Sequence, residues 1–177
     1  IMALAVAQTD SSAILAITAN VPTSQFNRGP FQELNRHNQA DFPNVIRPVV
    51  KRSFQPSRVD MLPLALRQGL DTMVTGRPGP VNLDIPYNVF QEEAEVALPA
   101  RSQLDRPHRP GASEADINAA IELLAAARQP ALFIGHGATL SEADPEIGEL
   151  AHRLGIPVIT SPNGMGCIAG DDPLALG

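Results

Sequence analysis

Two glycine-bearing segments in the last third of the sequence have the composition of ligand-binding loops. Gly135-His136-Gly137 follows an apolar run at residues 130–134, and residues 160–166 follow another at 156–159. In open parallel sheets, ligands bind beyond the carboxyl ends of the strands, where glycines let backbone N–H groups approach a pyrophosphate. Neither segment contains an acidic side chain. The pair predicts contact with a phosphorylated cofactor, and a plain strand-end turn is the alternative.

A third candidate segment, Phe31-Gln32-Glu33, lies in a polar loop after the first predicted strand. Loops at strand ends often carry function. By residue type alone, however, Phe31 is typical of a small satellite cluster of core residues, and Gln32 is typical of an amide side chain exposed to solvent. His136 has no Ser, Cys or Asp spaced to form a nucleophilic triad with it, so a hydrogen-bonded loop residue is the simpler interpretation. Asp171-Asp172 precedes a proline, which is typical of a solvated turn rather than a metal pair.

The elements that would position these loops can be predicted from hydrophobic patterning. Three short apolar or β-branched runs predict strands at residues 13–19, 45–51 and 80–86. Pro48 places the second of these strands at an edge or near a strand start. Apolar residues at helical spacing predict a helix over about residues 59–75, with Ser57 as its N-cap and Gly76 as its C′ residue. Strand, helix, strand with short connections predicts a parallel βαβ unit.

A second unit follows a change of composition. Residues 91–112 carry clustered glutamates and then arginines and prolines without a hydrophobic period, which predicts an interdomain linker. Ser113 and Asp116 then form a capping-box pair at the start of a helix. Further elements are predicted as strands at residues 130–135 and 156–161 and a helix at 142–154 that ends at Gly155. The predicted fold class is α/β, with parallel sheets, helices on both faces, and parts of two three-layer domains.

The composition bears on partners and compartment. Thirteen Lys and Arg against nineteen Asp and Glu give a net charge of −6, which argues against nucleic acid or an anionic membrane because phosphate contacts need a basic surface. No apolar run reaches the roughly 18 residues of a membrane span. One cysteine, Cys167, cannot form an internal disulfide, which fits a reducing compartment such as the cytoplasm. One Cys with four His gives no zinc-site spacing.

The two ends predict an internal fragment. Residues 1–7 are apolar without a preceding N-cap, which predicts a helix interrupted in its middle rather than a signal peptide, since the first basic residue is Arg28. Residues 171–177 form a turn towards a following element.

Several short motifs then occur in an order that identifies a family resemblance. They are Ile17-Thr18-Ala19-Asn20-Val21-Pro22, Phe31-Gln32-Glu33, Arg47-Pro48-Val49-Val50-Lys51, Gly76-Arg77-Pro78-Gly79-Pro80-Val81 with Asp84-Ile85-Pro86, and Gly164-Met165-Gly166 with Asp172-Pro173-Leu174. The series resembles the acetolactate synthase large subunit and related thiamine-diphosphate-dependent decarboxylases and carboligases, over essentially all 177 residues. The Gly-Arg-Pro-Gly-Pro-Val string is the most specific part.

The resemblance implies an enzyme that decarboxylates a 2-keto acid such as pyruvate and joins the product to a second carbonyl. It implies the C-terminal half of a pyrimidine-binding domain at residues 1–90, a linker at 91–112 and the first half of a central domain at 113–177. The family's activating glutamate and its ligands for magnesium and the diphosphate are then expected outside this sequence, so the fragment alone is expected to be inactive. A homodimer or homotetramer is expected because the family binds thiamine diphosphate between subunits.

The resemblance also assigns roles to individual residues. Phe31 and Gln32 match an active-site pair that faces the partner subunit's thiamine cofactor and the incoming keto acid, and Lys51 matches a lysine near the same pocket. Members that contain FAD use it structurally rather than for redox chemistry. The positions that match their flavin-nucleotide contacts are Gly135, His136, Gly137, Thr160 and Ser161.

Two departures from the acetolactate synthase pattern bear on the substrate. Pro86-Tyr87-Asn88 stands where Pro-Lys-Asp is usual, and Ala19-Asn20 stands where Gly-Gln is usual. A sister activity, such as glyoxylate carboligase or a 2-keto-acid lyase of the benzoylformate decarboxylase type, is the near alternative. A non-catalytic nucleotide-binding module that uses only the two glycine-bearing loops is the alternative from another class.

Overall fold

The computed structural model describes residues 1–29, 42–98 and 111–177. The chain divides into two compact units, residues 1–108 and 109–177. Each unit contains a parallel β-sheet with helices, so the predicted α/β fold class is confirmed. Within the described residues, no helix has both the length and the apolar character needed to cross a membrane.

The first unit alternates helices and strands. Its helices and strands are α1 (Met2–Thr9), β1 (Leu15–Asn20), α2 (Phe42–Ile46), β2 (Arg52–Phe54), α3 (Leu62–Val74) and β3 (Val81–Pro86). Short 3₁₀ turns lie at Thr23–Gln25, Arg47–Val49, Val59–Met61 and Tyr87–Gln91. The strand order is β1-β3-β2 and both pairings are parallel, as the βαβ pattern predicts.

Strand β3 is the centre of this unit, and all six of its residues are buried. Its two faces differ because side chains alternate across a strand. Val81, Leu83 and Ile85 form a hydrophobic core with Phe54 and Val89, against which α3 packs its apolar side chains Leu62, Ala65 and Met73. Full burial of a large apolar side chain contributes roughly 1.5–3 kcal/mol, so this hydrophobic core stabilises the unit. The other face of β3 carries Asn82 and Asp84.

The strand predicted at residues 45–51 is wrong. The chain there forms the end of α2 and the turn Arg47–Val49, and the strand begins later, at Arg52. β-branched residues favour strands only weakly against tertiary packing, and here Ile46 is completely buried. The register explains the shift, since Arg52 and Phe54 lie opposite Val81 and Leu83 of the central strand.

The helix predicted at residues 59–75 is confirmed as a 3₁₀ turn followed by α3. Its predicted cap is wrong, because the hydroxyl of Ser57 lies 3.7 Å from the Met61 sulfur and caps no backbone N–H. The predicted ending is correct: Gly76 follows the helix with a φ of 65°, a left-handed conformation that glycine adopts without steric cost.

The second unit begins with Ser113 as the predicted N-cap of a helix. The Ser113 hydroxyl accepts the Asp116 N–H at 3.2 Å and donates to the Asp116 carboxylate at 2.6 Å. The elements are α4 (Glu114–Ala126), β4 (Leu132–Ile134), α5 (His136–Leu140), α6 (Asp144–Leu154) and β5 (Val158–Thr160). Gly155 ends α6 in the left-handed region, as predicted.

Strands β4 and β5 pair in parallel. Residues 174–177 run beside β5, with the Val158 N–H donating to Leu174 O and the Leu176 N–H donating to Val158 O. The sequence predicted β4 as a buried strand, but Phe133 is 72% exposed. Within the described part of the chain, the face of β4 that carries Phe133 is therefore exposed.

Candidate functional site

The backbone brings the two glycine-bearing segments together at the carboxyl ends of β4 and β5. The Ser161 N–H donates to the Ile134 carbonyl at 2.9 Å. The Nδ1 atom of His136 lies 3.1 Å from the Asn163 carbonyl. Both contacts join the segment after β4 to the segment after β5, so the five residues assigned to the flavin nucleotide lie at one edge of this sheet.

The first segment differs from its prediction in conformation. The sequence predicts an open strand-end loop at residues 136 and 137, but they form the first turn of α5, with Gly135 at its N-cap position. The helix is short, and His136 is held by its contact to the neighbouring segment.

Glycine is required at one point of this edge for a packing reason. A Cβ on Gly164 would overlap the Ile134 carbonyl oxygen and lie 3.0 Å from the carbonyl carbon. The 3₁₀ turn Pro162–Gly164 can therefore lie against the end of β4 only without a side chain at Gly164. This glycine belongs to the Gly-Met-Gly motif, and the motif alone gave no sign of the contact.

Gly135 and Gly137 have the opposite surroundings. A Cβ built on either one meets no heavy atom within 4 Å, so the space beside both backbones is open. An open space beside exposed backbone groups at a strand end is what the phosphate part of a nucleotide needs. The room beside Gly135 and Gly137 is compatible with a nucleotide phosphate, and Gly148 of α6 has equally open surroundings.

Cys167 lies beside this edge but is poorly placed for chemistry. Its sulfur is 3.4 Å from the Thr139 hydroxyl and is buried. Burial raises the pKa of the Cys167 thiol, with a smaller opposing effect from the Thr139 hydrogen bond. A buried thiol with a raised pKa is a weak nucleophile, so Cys167 has a packing role.

Lys51 lies at the amino end of β2, whereas loops that bind ligands in parallel sheets follow the carboxyl ends. Its Nζ atom donates to the carbonyls of Thr75 at 2.7 Å and Arg77 at 2.9 Å, just after α3. Burial lowers the pKa of the Lys51 ammonium. These contacts give Lys51 a structural role in holding the turn between α3 and β3.

The polar face of the first unit holds a hydrogen-bond network that the sequence did not reveal. Asp84 is completely buried, and its carboxylate accepts from Thr18 at 2.7 Å, Asn20 at 2.6 Å and Gln55 at 2.8 Å. The neighbouring Asn82 accepts from Ser53 at 2.6 Å. The signal was present as the alternation of Asn82 and Asp84 within an otherwise apolar run.

The remaining site predictions concern Phe31 and Gln32, which lie outside the described residues. Within residues 1–29, 42–98 and 111–177, no three His, Cys, Asp or Glu side chains are grouped to hold a metal ion.

Comparison with known families finds a match within the second unit. Residues 117–177 match the family described as thiamine pyrophosphate enzyme, central domain. This stretch contains most of α4 and both glycine-bearing segments of the second unit.

Similarity to curated proteins extends over nearly the whole chain. It is 36% identical over 179 residues to the probable acetolactate synthase large subunit of Methanococcus aeolicus, which covers 98% of this chain and 29% of the relative. It is 34% identical over 177 residues to the acetolactate synthase of Arthrospira platensis, covering 98% of this chain and 30% of the relative. It is also 32% identical over 177 residues to the glyoxylate carboligase of Escherichia coli O157:H7, covering 100% of this chain and 29% of the relative.

The chain thus spans less than a third of the length of these relatives. Its resemblance to acetolactate synthase-like thiamine pyrophosphate enzymes, predicted from the motifs, is confirmed. The glyoxylate carboligase is a related enzyme, and its 32% identity to this chain is comparable with that of the two acetolactate synthases.

Proposed function

We propose that this chain is part of an acetolactate synthase-like enzyme that decarboxylates pyruvate and joins the resulting two-carbon unit to a second carbonyl. The observation that carries the proposal is the similarity to acetolactate synthases over 98% of the chain, across both compact units. The similarity to a glyoxylate carboligase over the same length favours that reaction as the second candidate.

Thiamine diphosphate, when bound, supplies the nucleophilic carbon for this chemistry. The roles proposed for this chain are to hold the substrate and to shape the pocket. Phe31 and Gln32 are proposed to face the thiamine ring of the partner subunit and the keto acid. Ligands for magnesium and the diphosphate are proposed to come from other parts of the full-length enzyme. The assignment of Lys51 to the neighbourhood of the substrate pocket stays a prediction.

We propose that residues 1–90 are the C-terminal half of a pyrimidine-binding domain, 91–112 a linker, and 113–177 the first half of a central domain. The full-length enzyme is proposed to be a cytoplasmic homodimer or homotetramer. The net charge of −6 supports a small-molecule substrate rather than nucleic acid as the partner.

The activity is tested on the purified full-length enzyme. With thiamine diphosphate and Mg²⁺ present, carbon dioxide release and carboligation product are measured with pyruvate alone and with glyoxylate alone. Acetolactate from pyruvate supports the first candidate, and a condensation product only from glyoxylate supports the second. If neither pyruvate nor glyoxylate releases carbon dioxide, both candidate functions are contradicted.

A structural FAD is proposed at Gly135, His136, Gly137, Thr160 and Ser161, and the open space beside the two glycines supports it. Gly135→Asp places a negative side chain in that space, so it should abolish the yellow flavin colour of the purified enzyme. Gly148→Asp is the matched control, because a Cβ at Gly148 in α6 also meets no atom within 4 Å. A colourless wild-type enzyme with normal turnover contradicts the FAD proposal.

The proposed substrate contact of Gln32 has its own test. Gln32→Ala should leave the circular dichroism spectrum unchanged and remove one hydrogen bond to the keto acid or its adduct. Such a bond contributes about 1.5–3 kcal/mol when it meets a charged group, so kcat/KM should fall by roughly one to two powers of ten. An unchanged spectrum with kcat/KM within about twofold of wild type would place Gln32 outside the pocket.

A further inference from the structure

A groove of about 450 Å³ lies on the first unit between the start of α3 and the segment that follows the turn Tyr87–Gln91, and it is called here the α3 groove. One wall consists of Asp60, Pro63, Leu64 and Arg67, and the other consists of residues 95–98. The four positions of the first wall recur at helical spacing, so they share one face of the turn Val59–Met61 and α3. A volume of this size is typical of small-molecule sites.

The two walls are joined at one end by hydrogen bonds. The Glu92 carboxylate accepts the Val59 N–H at 3.0 Å and the Asn88 side-chain N–H at 2.7 Å. Val59 begins the turn that carries Asp60 and leads into α3. The segment that forms the second wall therefore starts from a point fixed to the first wall.

The charged side chains of the groove differ in their partners. Asp60 accepts two hydrogen bonds from the Arg58 guanidinium, at 2.9 and 2.8 Å, so its charge is balanced. Among the described residues, the side chains of Arg67 and Glu95 make no hydrogen bond or ion pair. In this part of the chain, the first wall thus offers an unpaired cation and the second wall an unpaired anion.

Apolar side chains make up the rest of the lining. Leu64 is 51% exposed and Leu98 is 79% exposed, and Pro63 and Val96 contribute to the same lining. An aliphatic group that covers these side chains removes apolar surface from water, which favours binding. The groove therefore combines an apolar surface with one charge of each sign.

We propose that the α3 groove binds a small zwitterion with an aliphatic side chain, which is the chemistry of a free aliphatic amino acid. The Arg67 guanidinium suits a carboxylate, which it can meet with two parallel hydrogen bonds. The Glu95 carboxylate accepts from an ammonium group, and the aliphatic chain covers Leu64 and Leu98. A ligand with only one charged group would leave either Arg67 or Glu95 unpaired. Binding at this groove is independent of the reaction proposed above.

The test measures the binding of norleucine to the full-length enzyme by isothermal titration calorimetry. A zwitterion of this size in an open groove should bind with a Kd of about 1 mM. Hexanoate lacks the ammonium group of norleucine and pentylamine lacks its carboxylate, so each should bind at least about fivefold more weakly. Free alanine keeps both charges but has a single methyl group, and it should also bind more weakly.

Variants of the two charged side chains locate the site. Arg67→Gln and Glu95→Gln should each raise the Kd of norleucine about five- to tenfold, because each removes one ion pair at an exposed position. The double variant R67E/E95R exchanges the two charges and should bind norleucine within about threefold of wild type, whereas Arg67→Glu alone should bind it more weakly than Arg67→Gln. Arg128→Gln is the matched control, since it removes the same charge from an exposed arginine outside the groove and should leave the Kd unchanged.

Equal Kd values for norleucine, hexanoate and pentylamine would overturn the zwitterion assignment. A Kd that stays at the wild-type value in both Arg67→Gln and Glu95→Gln would place bound norleucine elsewhere on the enzyme and overturn the assignment to the α3 groove. No binding of norleucine at tens of millimolar overturns the site itself. An enzyme that binds norleucine in the predicted manner but turns over neither pyruvate nor glyoxylate overturns only the proposed function.

Discussion

At the residue scale, Asp84 is a completely buried carboxylate on the polar face of β3. A fully buried carboxylate is costly unless hydrogen bonds replace its hydration. Thr18, Asn20 and Gln55 supply three such bonds from both neighbours of the central strand. Asp84 thereby joins the carboxyl ends of all three strands on the face opposite the hydrophobic core.

Asp84→Asn should destabilise the protein more than its small change in shape suggests. The new amide must turn its NH2 group either towards the two donors at Oδ2, Asn20 and Gln55, or towards the Thr18 hydroxyl, so in either orientation a bond that the carboxylate accepts is lost or reversed. The bonds that remain also lose the negative charge of their acceptor. We expect a loss of about 2–4 kcal/mol in the free energy of unfolding, measured by urea denaturation. Asp71→Asn, at an exposed position on α3, is the control and should change stability by less than about 0.5 kcal/mol. Equal effects of the two variants would contradict the role of the network.

The Cys167 thiol gives a prediction on pH dependence. Because burial raises its pKa, the thiolate forms only at higher pH than in the unfolded chain. The neutral thiol therefore contributes stability that is present below the unfolded pKa and is lost as pH rises through the folded value.

Alkylation of native Cys167 at pH 8 should be at least about tenfold slower than alkylation of the urea-unfolded protein. Thr139→Val should shift the pH profile of the native reaction further upwards, since the Thr139 hydrogen bond opposes the effect of burial on the thiol pKa. Native and unfolded proteins that react at the same rate would show an accessible, ordinary thiol.

At the element scale, the edge formed by β4 and β5 depends on the close approach of the turn Pro162–Gly164 to the end of β4. Any side chain at Gly164 must displace backbone rather than a flexible side chain, because the overlapping atoms belong to Ile134 and Gly135. Backbone displacement here would also disturb the Ser161 to Ile134 hydrogen bond.

Gly164→Ala should therefore cost roughly 1–3 kcal/mol of stability, as overpacking in a closed site does. Gly135→Ala enters open space with ordinary backbone angles and should cost less than about 0.5 kcal/mol. Thermal unfolding of the two variants beside wild type measures the difference. A Gly164→Ala variant as stable as Gly135→Ala would mean that the two segments are not packed as described.

The sequence predicted elements well where one local pattern dominated. The Ser113 N-cap, the Gly76 and Gly155 helix ends and the buried run of β3 are all local signals. It failed at residues 45–51, where β-branched residues favoured a strand but register with β3 moved the strand to Arg52. Contacts between distant residues decide such cases, and a local pattern does not contain them.

The polar residues of the candidate sites likewise fall into two groups, those that a local pattern indicates and those that depend on contacts between distant parts of the chain. Gly135 and Thr160 could be named as candidates because glycines and small polar residues after apolar runs are visible locally, and their cofactor role stays a prediction. The Asp84 network was missed because its donors, Thr18 and Gln55, lie 66 and 29 residues away in the chain. The anchoring of Thr23 by Asn88 was hidden for the same reason, with 65 residues between them.

At the scale of the whole molecule, large apolar side chains stay exposed in the second unit. Leu123 is 75% exposed and Phe133 72% exposed, and Ile117 and Ile121 of α4 are also open. Apolar exposure on this scale marks surfaces that associate.

The 177-residue chain expressed alone should therefore self-associate at micromolar concentration. Leu123→Glu and Phe133→Ser together should shift the sedimentation coefficient towards the monomer, because each removes a large exposed apolar group. Glu122→Lys, beside Leu123 on α4, is the charge-changing control and should leave association unchanged. A stable wild-type monomer across the concentration range would contradict the expectation.

The order β1-β3-β2 places the strand that is synthesised last of these three in the middle of the sheet. At a translation rate of roughly 5–20 residues per second, the 66 residues between Thr18 and Asp84 take about 3–13 s to emerge. Through that interval β1 lacks the strand with which it pairs, and so does β2 from the time it is synthesised. Two unpaired strand edges on a nascent chain are sites for misassembly. The ribosome-bound chain should accordingly need a chaperone until residue 86 is free, and codons that slow synthesis before β3 should lower the yield of folded protein.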